Sequence, residues 1–335
     1  MVAAADACAG YLAHLLQTAH ACARLLTPHH RVLPRPSLGQ PVEPVRLTGR
    51  HDALAWLEAI APAVPSAMAA AVACDHPSVA CALAGDLWPL VHYHRDVALW
   101  ISVYEAGLRS ALRWGEPMAI RETSSTLALG LVAAERHEEA IDHYARALAL
   151  ARAAGDLRGV AQYTSGTGAA LHDAGRYADA ETHLMEAVTL YGELDDRRGA
   201  GLAETLLGSA AARQGNADLA MPVLHQARTD LTRLQQPDPV NAARALAYLG
   251  EGYSVAGHHD LAVSALTQAR AEFADAGHRH WIARTTEFLG QAAQRAGLLE
   301  AARGWYTTSR NQYTALSSSR DVRRLDERLH ALGAG

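Results

Sequence analysis

Between residues 117 and 316 the apolar positions recur at helical spacing in blocks separated by short polar or glycine-bearing turns. Blocks of this kind predict amphipathic helices rather than strands. The blocks themselves repeat. A small residue near the start of every second helix stands at Ala140, Ala180, Ala220, Ala262 and Ala302, in steps of 40, 40, 42 and 40 residues. Seven positions later come Ala147, Ala187, Ala227, Ala269 and Ser309. Twelve before the anchor lie Ala128, Gly168, Gly208, Gly250 and Gly290, and five before it Glu135, Gly175, Gly215, Gly257 and Gly297. A bulky column, Tyr144, Leu184, Leu224, Leu266 and Tyr306, follows the anchor by four. The last glycine column ends the first helix of each pair in a left-handed turn. The other small columns let helix backbones cross closely around the bulky plug, so small and large alternate across facing helices.

Outside the five clear repeats the pattern weakens. Trp88, Arg95, Trp100, Gly107 and Gly115-Glu116 fall on the same columns, so residues 77–116 are expected to form a degenerate repeat. Residues 5–26 are expected to form one helix, 31–50 a proline-rich linker, and 51–74 a helix pair broken near Pro62 and Pro65. The stretch from Asp321 to Leu332 is a polar amphipathic helix suited to covering a last apolar face. The expected organisation is therefore 1–50 N-terminal helix plus linker, 51–116 entry segment and degenerate repeat, 117–316 five repeats, and 317–335 a C-terminal capping helix.

Composition narrows the chemistry. Half of the residues are apolar yet only 6% are aromatic, with Phe appearing twice, which suits closely packed helices better than a sheet. No lysine is present, so all 30 cations are arginine. That excludes a Walker A lysine and Schiff-base chemistry. The net charge of −5 argues against direct nucleic-acid binding. Cys8, Cys22, Cys74 and Cys81 form no C-x-x-C pair and read as small buried hydrophobes in a reducing compartment. The N-terminus lacks the positive region of a signal peptide, and no apolar run reaches the roughly 18 residues of a membrane helix. The expectation is a cytoplasmic protein with no membrane partner.

The small-residue columns over 117–316 resemble those of the tetratricopeptide family, with a 40-residue period in place of about 34. The resemblance implies an all-α, right-handed α-solenoid of helix hairpins. The longer period, together with GDLRG at Gly155–Gly159 and its echo DDRRG at Asp195–Gly199, is similar to the sensor arm of bacterial signal-transduction ATPases, including antibiotic-pathway regulators. Tyr11–Arg31 resembles the helix that follows their winged-helix segment, and HDALAWLEA at His51–Ala59 the start of their repeat array, although IAPAVPS replaces the acidic-Arg-Pro-Asn run expected next. Neither an ATPase domain nor a DNA-binding helix-turn-helix is expected in this sequence, so the resemblance covers the family's arm alone and implies a detached arm, a stand-alone relative, or an arm put to a new use.

In that family, set positions of each first helix face a concave groove. The resemblance places His92 and Tyr93 there from the degenerate repeat, then Glu122 and Ser125, then Gln162, Ser165, His172 and Asp173. Thr205, Ser209 and Arg213 follow, then Arg244, Glu251 and Ser254, and last Arg284, Glu287, Gln291 and Arg295. The N-terminal half offers His, Tyr and hydroxyl groups suited to a small organic molecule. The C-terminal arginines can clamp a carboxylate or an acidic peptide, or they can form a solvated face laced with salt bridges. The paired histidines (His29-His30, His92 to His94, His258-His259, His278 to His280) lack zinc-site spacing, so no metal and no cofactor is expected. His172 and Asp173 are helix neighbours, which project apart, and so do not read as an acid–base pair. The tryptophans sit at core spacing, although Trp88, Tyr93 and Trp100 could wall a pocket. No catalytic motif is found. The function expected is a non-catalytic regulatory or scaffold module binding a peptide, a protein partner or a small effector. The alternative is an enzyme of a specialised-metabolite pathway using the groove as a reaction chamber, with His92, Tyr93, Tyr163 and His172 as candidates. A third reading is a regulator whose DNA-binding part sits on another chain.

Overall fold

The computed structural model describes residues 2–27, 31–34, 36, 42–73, 77–94 and 96–333, without the side chains of 2–8 and 92–94. Among these, all regular structure is helical, as expected. The helices are α1 (Val2–Leu26), α2 (Arg50–Ile60), α3 (Val64–Ala73), α4 (Pro77–Asp86), α5 (Trp88–His94), α6 (Val97–Trp114), α7 (Pro117–Ala133), α8 (His137–Ala153) and α9 (Leu157–Asp173). They continue as α10 (Tyr177–Glu193), α11 (Arg197–Arg213), α12 (Ala217–Arg233), α13 (Pro239–Val255), α14 (His259–Asp275), α15 (Arg279–Arg295), α16 (Leu299–Ala315) and α17 (Ser319–Gly333). Two compact units divide the chain, Met1–Gly166 and Thr167–Gly335.

The repeat columns are the packing code of both units. Ala140, Ala180, Ala220, Ala262 and Ala302 are all 0% exposed, as are the five residues seven positions on. The hydroxyl of Ser309, the one polar member, donates to the Ala283 carbonyl at 2.8 Å. The bulky column plugs the glycine column. A Cβ on Gly168 would lie 2.7 Å from Leu184 Cγ, on Gly208 2.4 Å from Leu224 Cγ, on Gly250 2.7 Å from Leu266 Cγ, and on Gly290 2.6 Å from the Tyr306 ring. Each of these four hairpins therefore depends on one missing methyl group.

The turns follow the same code. Gly215 has φ 77°, and the amides of Asn216 and Gly215 close the end of α11 on the carbonyls of Ala211 and Ala212. In the first repeat the non-glycine Glu135 holds φ 62° at this place, a conformation that disfavours side chains with a Cβ. The next helices are capped by acids: Asp156 accepts from the Gly159 amide, Asp196 from Gly199 and Asp238 from Asn241.

In the second unit α11 packs on α12, α13 on α14 and α15 on α16, while α11 touches α13 and α13 touches α15. The first helices thus form a layer of their own. The final helix does more than cover an end. Ser317 repeats the turn at Gly277, with φ 55° against 68°, and α17 packs on α16 as the first helix of a further hairpin would.

In the first unit α4 and α5 are two short helices around Leu87 because Pro89 has no amide to donate back up the chain. Trp88 and Trp100 meet edge to face at 5.5 Å, and Trp100 Nε1 donates to the Thr126 carbonyl at 2.9 Å. Both are thus packing residues, and the Tyr93 side chain lies outside the described ones. Cys22 and Cys81 are buried, and burial pushes both thiols up to about 12. Cys8, Cys74, His29 and His30 also lie outside the described side chains. One expectation needs correction. The stretch Arg50–Ala73 reaches a mean hydropathy of 1.4, enough by length and composition to cross a membrane. Its alanines raise the average without any long strictly apolar run. It is two helices broken at Ala61–Ala63, and α3 packs on α4 and α6.

One residue of α11 costs stability. Burial, then the nearby Asp230, pushes the Glu204 carboxyl up to about 7. A carboxyl raised on folding binds a proton more tightly in the native state, so stability falls as pH rises from about 4.3 to 7. Glu204→Gln is expected to remove that loss, gaining roughly 1–2 kcal/mol at pH 8 after allowance for partial exposure and nothing at pH 4. Urea melts at the two pH values check it.

Candidate functional site

The first-helix layer of the second unit carries most of the residues that the repeat register selects. At its start His172 Nε2 lies 2.9 Å from Ser209 Oγ on α11, and His172 Nδ1 lies 3.1 Å from Asp173 Oδ1. The expectation that these neighbours diverge is wrong here, because Asp173 is the last residue of α9 and its side chain can turn back. Around them stand two aromatic rings, Tyr177 at 5.5 Å and Tyr248 at 6.2 Å from the imidazole.

Arginines follow. Arg213 pairs with Glu251 at 2.8 Å, accompanies the Tyr177 hydroxyl at 3.3 Å, and lies over the Tyr177 ring. Burial works against its charge, but Glu251 and Tyr177 outweigh it and the guanidinium is held more firmly protonated than usual. Arg284 lies 4.9 Å over the Phe288 ring and 3.1 Å from Glu287. Its burial too is overcome, by Glu287, Tyr313 and Glu251. Tyr248, between α11 and α15, packs against Trp281 and Phe288. Arg295 donates to Ser254 at 3.2 Å.

Glu287 is 0% exposed. Arg324 of α17 grips both its oxygens, at 3.0 and 2.7 Å, Arg328 stands at 3.5 Å, and Gln291 donates at 3.4 Å. Burial alone would raise this carboxyl; Arg284, Arg324 and Arg328 hold it below the usual carboxylate range. Arg324 also pairs with Asp321 at 2.6 Å.

Arg244 differs from these. It is half-buried on α13 beside Tyr248, and among the described residues it has no hydrogen-bond or ion-pair partner, its Nε being buried and unmatched. Among the described residues Arg213, Arg284, Arg324 and Arg328 pair with three carboxylates, those of Glu251, Glu287 and Asp321, while Arg295 donates to a hydroxyl and Arg244 has no such partner. The layer has cationic charge to spare.

Of the other expected residues, Gln162 and Ser165 lie half-buried on α9 in the first unit, and the side chains of His92 and Tyr93 are outside the described ones. In that unit Glu122 is 5% exposed and accepts from the Tyr163 hydroxyl at 3.0 Å. Tyr163 is itself 0% exposed, and burial, then Glu122, pushes its phenol up, so it is not poised for proton transfer near neutrality. Ser209, His172 and Asp173 are in hydrogen-bond order for a relay. Ser209, however, sits inside α11, where the backbone amides around it bond within the helix.

Residues 120–193 match the tetratricopeptide repeat family. Over that stretch the chain carries tetratricopeptide repeats. No curated protein matches it in sequence. Among solved structures it is similar to the apo form of RapI, with TM-score 0.63 and 13% identity over 81% of this chain and 97% of that one. It is also similar to a Rap protein complexed with Competence and Sporulation Factor, with TM-score 0.59 and 14% identity over 84% of both chains. A third is a signal transduction ATPase with numerous domains, from Pyrococcus horikoshii, which has a tetratricopeptide repeat sensor. Here the TM-score is 0.55 with 14% identity, over 82% of this chain and 41% of that one. At these identities the likeness establishes the fold.

Sequence reasoning missed Tyr177, Tyr248, Arg324 and Arg328 in the second unit, and Arg31, Arg121 and Asp156 in the first. Arg324 was detectable. It stands forty residues after Arg284, which stands forty after Arg244, so the arginine column runs on into α17.

Proposed function

We propose that the chain is a non-catalytic binding module whose second unit holds an anionic ligand, a peptide carboxylate, on the tetratricopeptide first-helix layer. Arg244 carries this reading. A guanidinium that is half-buried and unmatched, beside an aromatic ring and a surplus of arginine, is costly unless an anion completes it. Tyr177, half-buried beside His172, supplies ring surface for the rest of such a ligand. Likeness to a Rap protein solved with its factor supports a ligand-holding role, and likeness to a sensor-bearing ATPase supports a regulatory one. We place the protein in the cytoplasm, as a relative of those sensor arms, with 51–116 as entry segment and 117–316 as the array. Its partners would be peptides or proteins, with no cofactor, metal, membrane or nucleic acid.

The test is retention of a random hexapeptide pool with free C-termini by wild-type and Arg244→Ala chains. Wild type should enrich peptides, and the variant should bind the enriched ones about 10- to 100-fold more weakly, the effect of one charge-assisted contact. Equal retention by a variant with an unchanged melt would overturn the assignment.

A further inference from the structure

Residues 31–34 lodge two side chains among the later helices of the first unit. Arg31 Nη1 lies 2.8 Å from Asp156 Oδ2 and 3.1 Å from Glu122 Oε1. Asp156 is the cap of α9 and receives Arg121 as well, at 3.3 Å. Two residues on, Leu33 is 5% exposed and packs among Cys81, Ala111 and Ala119, with its Cδ1 filling the notch at Gly85. Val32 between them is 40% exposed. The segment therefore behaves as a bound peptide does, alternate side chains buried in a guanidinium site and an apolar notch.

The place it occupies belongs to the repeat register. Glu122 lies in the column that continues through Gln162 and, two and three repeats later, Arg244 and Arg284. Position for position, the chain fills with its own arginine a groove site whose charge is opposite to that of the later repeats. Glu122 needs a cation there. Burial pushes its carboxyl up, and Arg31, the Tyr163 hydroxyl and Arg121 offset part of that rise, Arg31 the most. Loss of Arg31 alone would leave a buried carboxylate short of its counter-charge, so the site favours exchange of one cation for another over vacancy. The contact is also reachable: the Arg31 side chain is 26% exposed.

We propose that residues 31–34 are an intramolecular occupant of a guanidinium-binding groove site in the first unit, displaced by a partner segment that presents an arginine two residues before an apolar side chain. The strap and its competitor share Glu122, Asp156 and the Gly85 notch, so the free site is exposed only when the strap lifts. This site stands apart from the carboxylate reading of the second unit and survives its failure.

A fluorescent peptide copying residues 31–34 with blocked ends, titrated into full-length protein, tests the proposal. A strap docked most of the time lowers apparent affinity in proportion to the free fraction. The Arg31→Ala/Leu33→Ala chain should therefore bind the peptide at least about tenfold more tightly than wild type. Adding Glu122→Gln to that chain should reverse the gain, and a control peptide with alanine for its arginine should not bind. Equal binding to wild type and strap variant, or no binding to the strap variant, overturns the proposal. Should the double variant fail to fold, Arg31→Gln alone gives the same comparison. Hydrogen exchange on wild type adds an independent reading: excess peptide should raise exchange at residues 31–33, and unchanged protection there counts against displacement.

Discussion

A Glu287→Ala chain is expected to lose about 3–5 kcal/mol of stability in its C-terminal hairpins, the usual cost of removing one partner from a buried ion cluster. Arg284, Arg324 and Arg328 all converge on this carboxylate. Without it three guanidiniums remain crowded and half-buried, and among the described carboxylates Arg324 keeps Asp321. In a stack of hairpins stability is local, summed over neighbours. The loss should therefore appear as fraying of α15 to α17 in hydrogen exchange, with α11 and α12 still protected. Arg324→Ala should cost less, because Arg284 and Arg328 stay with Glu287. Acid should mimic the Glu287 substitution. The folded-state carboxyl is held down, so its contribution is complete above the unfolded value of about 4.3 and disappears as pH falls through the lower folded one. A Glu287→Ala effect that spread evenly over the unit, or vanished, would mean that the cluster does not hold α17.

The second large effect concerns the glycine column. Gly208→Ala should destabilise by about 1–3 kcal/mol through overpacking, outweighing the roughly 1 kcal/mol that alanine gains as a helix former. The added methyl would meet Leu224 Cγ at 2.4 Å, and Leu224 is 0% exposed with nowhere to go. In a Leu224→Ala background the obstacle is gone, so the same substitution should become neutral or stabilising. Thermal melts of the four chains complete the cycle. A Gly208→Ala cost that is unchanged in both backgrounds would show that the two residues are not the packing pair described.

These two predictions differ in how readable they were. The Gly208–Leu224 contact follows from sequence because the same steric demand is imposed at five successive crossings, and columns of small and bulky residues record it. The Glu287 cluster was half readable. Arg284 and Glu287 were selected by register, but Arg324 and Arg328 belong to a helix that reads as a polar cap once the apolar repeat fades. The Arg31 contact left no trace at all. It joins residues 91 and 125 positions apart, occurs once, and starts from a linker with no periodicity to align. Repetition makes packing legible; a contact made once, by a flexible side chain, is decided by three-dimensional proximity alone. The His172–Asp173 contact shows the same limit at short range, where helix geometry forbids what a helix end allows.

The claim that the arginine layer of the second unit receives a carboxylate is tested most directly by one comparison. A peptide enriched on the wild-type chain is made twice, as the free acid and as the C-terminal amide, and both are titrated calorimetrically. The account predicts that the amide binds at least about tenfold more weakly, some 1.4 kcal/mol, and that Arg244→Ala erases the difference. Equal affinity for acid and amide in the wild-type protein would contradict it.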